Sequence, residues 1–269
     1  MIYNLKVTDY ADSKHVEFFH CPIRRTANEE YDTITPDIKK AKIIQDLEKD
    51  LKKDRNNEIS LQNSVNRSKK NLYRIARSNK WEYFLTLTFD RKEDNKFGHK
   101  VIDSSDYEEV SNTFSKWVNN VKKYKCPDFM YLAVPEYHAD RKHFHFHLLC
   151  SNMGNLQLVD SGVTADTGDI MYNLPDWEYG FSTATIIKDN ARVTTYIGKY
   201  ITKELMNKIK YKKRYYASDN CNVCEEKLYH IREEDLYKYY PPEYWSYIKT
   251  IHAGCYNQIK YIEIPQDLC

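Results

Sequence analysis

The sequence predicts an α+β fold, an antiparallel sheet with helices on one face in a ferredoxin-like or RRM-like (split βαβ) layout. Three observations predict it. Short runs rich in β-forming residues recur at 83–89, 129–136, 143–150 and 181–187. Two amphipathic helical stretches, 104–123 and 191–206, fall between and after them, giving the order β-α-β-β-loop-β-α. The second and third runs are separated only by the polar turn YHADRK, too short for a parallel crossover.

Residues 1–58 carry few signals beyond a possible strand at VEFFHCPI and a charged, helix-permissive stretch from Thr35 to Arg55. Residues 59–80 hold six basic residues and no acid. Leu61, Val65, Leu72, Ile75 and Ala76 recur at helical spacing, and Ser60 or Ser64 is placed to cap. Such a charge run is ordinarily a solvated face, but the lack of acid tilts it toward nucleic-acid contact. YFLTLTF (83–89) reads as a buried strand. In 104–123, Ser105 and Glu108 read as a capping box, and Tyr107, Val110, Phe114, Trp117, Val118 and Val121 as the apolar face. FMYLAVPE (129–136) is a strand stopped near Pro135, and HFHFHLLC (143–150) is its neighbour. A loop-rich stretch runs to Gly180, then FSTATII (181–187) forms a strand. The helix at 191–206 follows Asp189 or Asn190 as its cap. NKIKYKKRYYA (207–217) interleaves bases with tyrosines. The expected organisation is a helical N-terminal extension (1–58), a central domain with a basic entry helix (59–206), and a basic-aromatic segment with a small C-terminal extension (207–269).

Totals bound the function. The 269 residues, 41% hydrophobic and 30% charged, suffice for one large domain or one domain with extensions. Net charge is only +2 and identifies no partner. There are 24 tyrosines against 7 glycines, and tyrosine suits nucleobase stacking, although abundant Lys, Ile and Asn point to an AT-rich genome as the source of most. Seven scattered cysteines and no secretory signal imply reduced thiols and an intracellular protein. Cys221 and Cys224 form a CxxC without a second ligand pair, which does not make a zinc site. No apolar run approaches membrane-span length, so no membrane partner is expected. No GxxxxGK[ST] loop is present, so helicase or ATPase activity must come from a partner.

Two constellations carry chemistry. In HFHFHLLC, His143, His145 and His147 alternate and so share one strand face, where imidazoles two residues apart can reach one divalent ion. Glu136, at the end of the neighbouring strand, can join them, and a His₂-carboxylate set leaves coordination positions open for catalysis. The alternation alone leaves open which two histidines bind. On the later helix, Tyr196, Lys199, Tyr200 and Lys203 fall within an arc of about 100°. Phenol is a poor nucleophile near neutral pH, and nearby lysines or a metal stabilise its phenolate. Asp90, after the first strand, reads as a turn residue.

Together these motifs resemble the HUH endonucleases, and more closely the rolling-circle replication initiators (Rep proteins) of single-stranded DNA phages and related plasmids. FLTLTF resembles their first motif, HFH followed by LL the second, and YIGKYITK the third in its two-tyrosine form. YNLPDWEYGFSTA and KKRYYAS resemble flanking segments, so the likeness spans roughly residues 65–220. The resemblance implies Glu136, His145 and His147 as ligands of Mg²⁺ or Mn²⁺, with His143 an alternative or supporting group and His138 in the place of a turn glycine. It implies Tyr196 and Tyr200 as nucleophiles that form a 5′-phosphotyrosine and free a 3′-OH, with Lys199 and Lys203 stabilising charge. Arg67, Lys69, Lys70, Arg74, Lys210, Lys212, Lys213 and Arg214 are expected to flank the DNA path. Expected partners are single-stranded or hairpin origin DNA and a host or separately encoded helicase and polymerase, in the cytoplasm of a bacterial host. The other readings are an HUH transposase or relaxase, a water-using metal-dependent nuclease, and a non-catalytic nucleic-acid-binding repressor.

Overall fold

The computed structural model describes residues 1–24, 44–90, 98–201, 212–253 and 257–268, with the backbone alone over 44–59 and at 253. Lys203, Lys210 and the segments 35–43 and 202–206 of the expected helices lie outside the described residues.

In chain order the elements are β1 (Ile2–Asp9), β2 (Ser13–Arg24), α1 (Ile44–Arg77), β3 (Tyr83–Thr88), α2 (Tyr107–Tyr124), β4 (Met130–Tyr137) and β5 (Phe144–Ser151). There follow β6 (Val159–Thr164), β7 (Ile170–Asn173), β8 (Ser182–Ile186), α3 (Asn190–Ile197), β9 (Tyr216–Ala217), β10 (Glu226–Tyr229), α4 (Glu233–Tyr239), β11 (Tyr247–Ala253) and β12 (Asn257–Pro265). The fold is mixed α+β with two antiparallel sheets. The chain divides into two compact units, one of Met1–Ile59 with Cys224–Cys269 and one of Ser60–Val223.

The first unit joins the two ends of the chain. Its sheet has the order β10-β1-β2-β12-β11, every pair antiparallel. Alternation sends Leu5, Val7, Val16, Phe18, Ile262 and Ile264 to one face, where they bury Leu236 of α4. VEFFHCPI lies inside β2 as expected, while β1 lacked a clear period in sequence.

The second unit contains a sheet of order β6-β7-β8-β3-β5-β4-β9, again antiparallel throughout. From Ser60 onward α1 places Val65, Leu72 and Ala76 in the core, with Leu61 and Ile75 against it, as the spacing predicted. All six predicted apolar positions of α2 are buried. Phe114 of α2 stacks on Phe146 of β5, with ring centroids 4.2 Å apart, so α2 covers the face that bears Phe144, Phe146 and Leu148. The period of two then turns His145 and His147 to the other face.

Four local expectations are corrected. The cap of α2 is Asp106, whose carboxylate accepts from Glu108 N at 2.8 Å, and not Ser105. Ser105 instead donates through its backbone N and its hydroxyl to Asp103 Oδ1. β4 runs through Pro135 to Tyr137, because β9 covers only Leu132 and Ala133 and leaves the edge open where the proline lacks its N–H. The loop before Gly180 contains the hairpin β6–β7, whose largely exposed strands give no apolar signal. Among the described residues, the second helix is α to Ile197, continues as a 3₁₀ turn over Gly198–Tyr200, and leaves helical geometry at Ile201 (ψ 88°). Gly198 weakens the α-helix there, and fully buried Ile201 anchors the departing chain in the core.

Candidate metal centre and tyrosine pair

The β4–β5 hairpin builds the site. Its register sets Glu136 directly opposite His145, and Val134 opposite His147. Cross-strand partners project to one face, so Glu136, His145 and His147 converge. Glu136 Oε2 lies 2.7 Å from His147 Nε2 and 3.2 Å from His145 Nε2, and the two Nε2 atoms are 2.9 Å apart. Among the described residues these form the cluster of potential metal ligands. Ligand atoms about 2.1 Å from an ion and about 90° apart stand about 3 Å from one another, so the spacing fits a small divalent cation.

The electrostatics agree with a ligand set. Burial raises the Glu136 carboxyl, but hydrogen bonds and charge from His145 and His147 outweigh it and hold it at about 2. Burial lowers His147, against the pull of Glu136, and His145 lowers it further, so the neutral imidazole is favoured. His147 Nδ1 lies 3.0 Å from Thr86 Oγ1 on the adjacent strand β3. With Nδ1–H donating to Thr86, the Nε2 lone pair points into the cluster. His145 Nδ1 is buried without a hydrogen-bond partner among the described residues.

His143 stands apart from this cluster. It precedes β5, and its Nδ1 lies 2.8 Å from Ser104 Oγ, while Ser104 O accepts from Phe144 N. His138, in the hairpin turn, places its ring 4.5 Å from that of His145. Asp90 is buried and bonds His99 Nδ1 at 2.8 Å.

The tyrosines reach the same face. Asp189 caps α3 by accepting from Arg192 N, and α3 with its 3₁₀ extension lies against β5 and β4. The Tyr200 ring stacks on the His147 ring, centroids 3.8 Å apart and 16° from parallel. Tyr196 meets Tyr200 edge-on at 5.3 Å and Phe84 at 6.0 Å, and Phe84 in turn stacks against His147. Tyr196 is 43% exposed and Tyr200 9%. Burial, then the hydrogen bond with Tyr196 and the charges of Tyr196 and Glu136, push the Tyr200 phenol far above its ordinary value. Lys199 sets its ammonium 4.9 Å from the centre of the Tyr196 ring.

Of the predicted DNA-contact residues, Arg67, Lys69, Lys70, Lys212 and Lys213 are exposed, and Arg74 and Arg214 are half-buried. Thr86 and Phe84, which hold His147 and Tyr196, were not singled out in the sequence. The signal was present, since FLTLTF places both on the same alternating face.

Residues 82–205, the stretch that holds this site, match the family model of the Replication-associated protein ORF2/gene 2 protein. No curated protein and no solved structure matches the chain. The family match supports a Rep-type protein of rolling-circle replication and suggests DNA as a partner. No helix among the described residues is long and apolar enough to cross a membrane.

Proposed function

We propose that the protein is a replication initiator that nicks single-stranded origin DNA by tyrosine transesterification and later rejoins it, as an HUH endonuclease. The observation that carries this reading is the stack of Tyr200, with Tyr196 at its edge, on an imidazole of the Glu136–His145–His147 group. A nucleophile and a cation site adjoin on one face of the sheet.

When bound, a divalent ion (Mg²⁺ or Mn²⁺) supplies Lewis-acid polarisation of the scissile phosphate. Glu136, His145 and His147 hold it, and Thr86 fixes His147 for that task. The phenolic oxygen of Tyr196 or Tyr200 attacks phosphorus as its proton passes to solvent. The bond from phosphorus to the 3′-oxygen breaks, and that oxygen takes up a proton. The products are a 5′-phosphotyrosine and a free 3′-OH that primes a polymerase. One phosphoester replaces another, so no ATP is consumed. After a round of synthesis the second tyrosine cuts the regenerated junction. The released 3′-OH then attacks the first phosphotyrosine and closes a circle. Lys199, beside Tyr196, lowers the cost of negative charge on the phenolate, and Lys203 is proposed for the same role. The basic residues of α1 and of the approach to β9 hold the flanking strand, and a separately encoded helicase and polymerase supply unwinding and synthesis.

A denaturing gel with end-labelled single-stranded origin-region DNA and Mn²⁺ tests the reading. Wild type should give a nicked product and a protein–DNA adduct. Replacing both tyrosines (Tyr196→Phe with Tyr200→Phe) should abolish both. Cutting that survives in the double variant, with no adduct, would make the protein a water-using nuclease.

A further inference from the structure

We propose that a basic groove between α2 and the β9 edge is a second contact for single-stranded nucleic acid, holding the strand that flanks the segment at the metal group. The inference rests on the function proposed above: it takes the cations before β9 named there and adds a facing wall, Lys122 and Lys123 of α2. Two cavities of about 500 and 580 Å³ share Asn119, Tyr131 and Ala217 in their walls and so adjoin, and together they make up the proposed groove. Lys122 and Lys123 enter it from the last turn of α2. Lys212, Lys213 and Arg214 enter from the segment that leads into β9. Among the described lining residues, Asp219 alone is a carboxylate. This balance of charge suits a polyanion.

The cations are available to phosphate. Lys122 pairs with Asp219, whose side chain is 85% exposed, and Lys212 pairs with exposed Glu108 at 3.5 Å. Exposed pairs contribute little, so phosphate oxygens can replace these carboxylates. Arg214 donates through Nη1 to Ser64 O, Ser64 Oγ and Ser68 Oγ, which fixes the guanidinium on the groove wall. Tyr131 and Tyr215, both half-buried, add ring surface for bases.

Position links the groove to the site. β9 pairs with β4 at Leu132 and Ala133, and Glu136 lies on the same strand. The separation is roughly 10–13 Å at about 3.3 Å per residue. The groove opens on the side of the sheet that α2 covers, as the contact of Tyr131 with Phe114 indicates, whereas the histidines face the other side. One polymer touching both must turn round the β4–β9 edge within that distance. A single strand can do so, while a duplex is stiff over far longer lengths.

Fluorescence anisotropy with two labelled oligonucleotides over a salt series tests this. Both carry the same scissile region; one is short and the other extends it with single-stranded flanks. In wild type the extension should raise affinity. With Lys122→Gln, Lys123→Gln, Lys212→Gln and Lys213→Gln combined, that gain should shrink about tenfold, and the slope of log K against log salt should fall by about 0.7 for each phosphate that the variant no longer neutralises. Asp219→Asn, which removes the opposing carboxylate, should increase the gain, a result that misfolding cannot imitate. If the lysine variant keeps the full gain and slope, the groove is not a nucleic-acid path, and the site reading stands. An equal gain from duplex flanks would overturn the single-strand assignment. If wild type binds neither oligonucleotide, the functional reading fails and the groove proposal falls with it.

Discussion

Thr86 is one hydroxyl away from the proposed chemistry, and its role can be measured alone. It holds His147 Nδ1 at 3.0 Å, so Thr86→Val frees the ring to rotate and to change tautomer. Mn²⁺ affinity by calorimetric titration should then fall about 10–100-fold. His143→Ala should leave that affinity as it is, because His143 bonds Ser104 rather than the cluster. Equal losses in the two variants would mean that His143 is a ligand. That Glu136 lies near the histidines was legible in the sequence, because side chains on strands alternate and the turn before HFHFHLLC is short. Which histidine stands opposite it was not: alternation left His143, His145 and His147 open, the family resemblance favoured His145 and His147, and the hairpin register sets Glu136 opposite His145. Thr86 was not legible, because threonine is common in strands for reasons of packing and only the neighbouring strand gives its hydroxyl a task. The cap of α2 was misplaced by one residue for a similar reason. Ser105 and Asp106 are both good caps, and only the competing bond to Asp103 decides between them.

Elements transmit these positions to the site. Asp106→Ala should cost about 1 kcal/mol in urea unfolding, and Ser105→Ala no more than about 0.5 kcal/mol. The reverse order would restore Ser105 as the cap. Gly180 joins the segment before β8 to the end of β3, through Thr88 N to Phe181 O and Asp90 N to Tyr179 O. Its φ is 154°, and an added Cβ would collide with Thr88 O and stand 2.5 Å from Asp90 N. Gly180→Ala should therefore destabilise by about 1–3 kcal/mol. It should also weaken Mn²⁺ binding, since Thr88 is the cross-strand partner of His145. Unchanged stability would show that the two strands can part without cost. The amphipathic helices were legible because buried positions repeat every three or four residues. The hairpin β6–β7 was not, since strands exposed on both faces carry no period. The end of α3 at Ile197 was also hidden, because Tyr196 and Tyr200 are neighbours both on a longer α-helix and on the α-to-3₁₀ path observed.

For the whole molecule, the two units differ in how far the sequence shows them. The seven-stranded sheet has its strands within residues 60–223, and its signals are local. The five-stranded sheet pairs β1 with β10 and β2 with β12, strands more than 200 residues apart, and no local pattern announces such pairing. Because the Glu136–His145–His147 group belongs to the unit of Ser60–Val223, Mn²⁺ should stabilise that unit, by about 2.7 kcal/mol at a hundredfold excess over its Kd. Chelation should reverse the shift seen by calorimetry, and no shift in the wild-type protein would remove the metal from the account. The central claim is that a tyrosine on α3 or its extension becomes joined to DNA. It is tested most directly by digesting the reacted complex with nuclease and protease and mapping the nucleotide-bearing peptide by mass spectrometry. The account predicts a 5′-phosphotyrosine at Tyr196 or Tyr200. Cleaved DNA with neither tyrosine modified would contradict it.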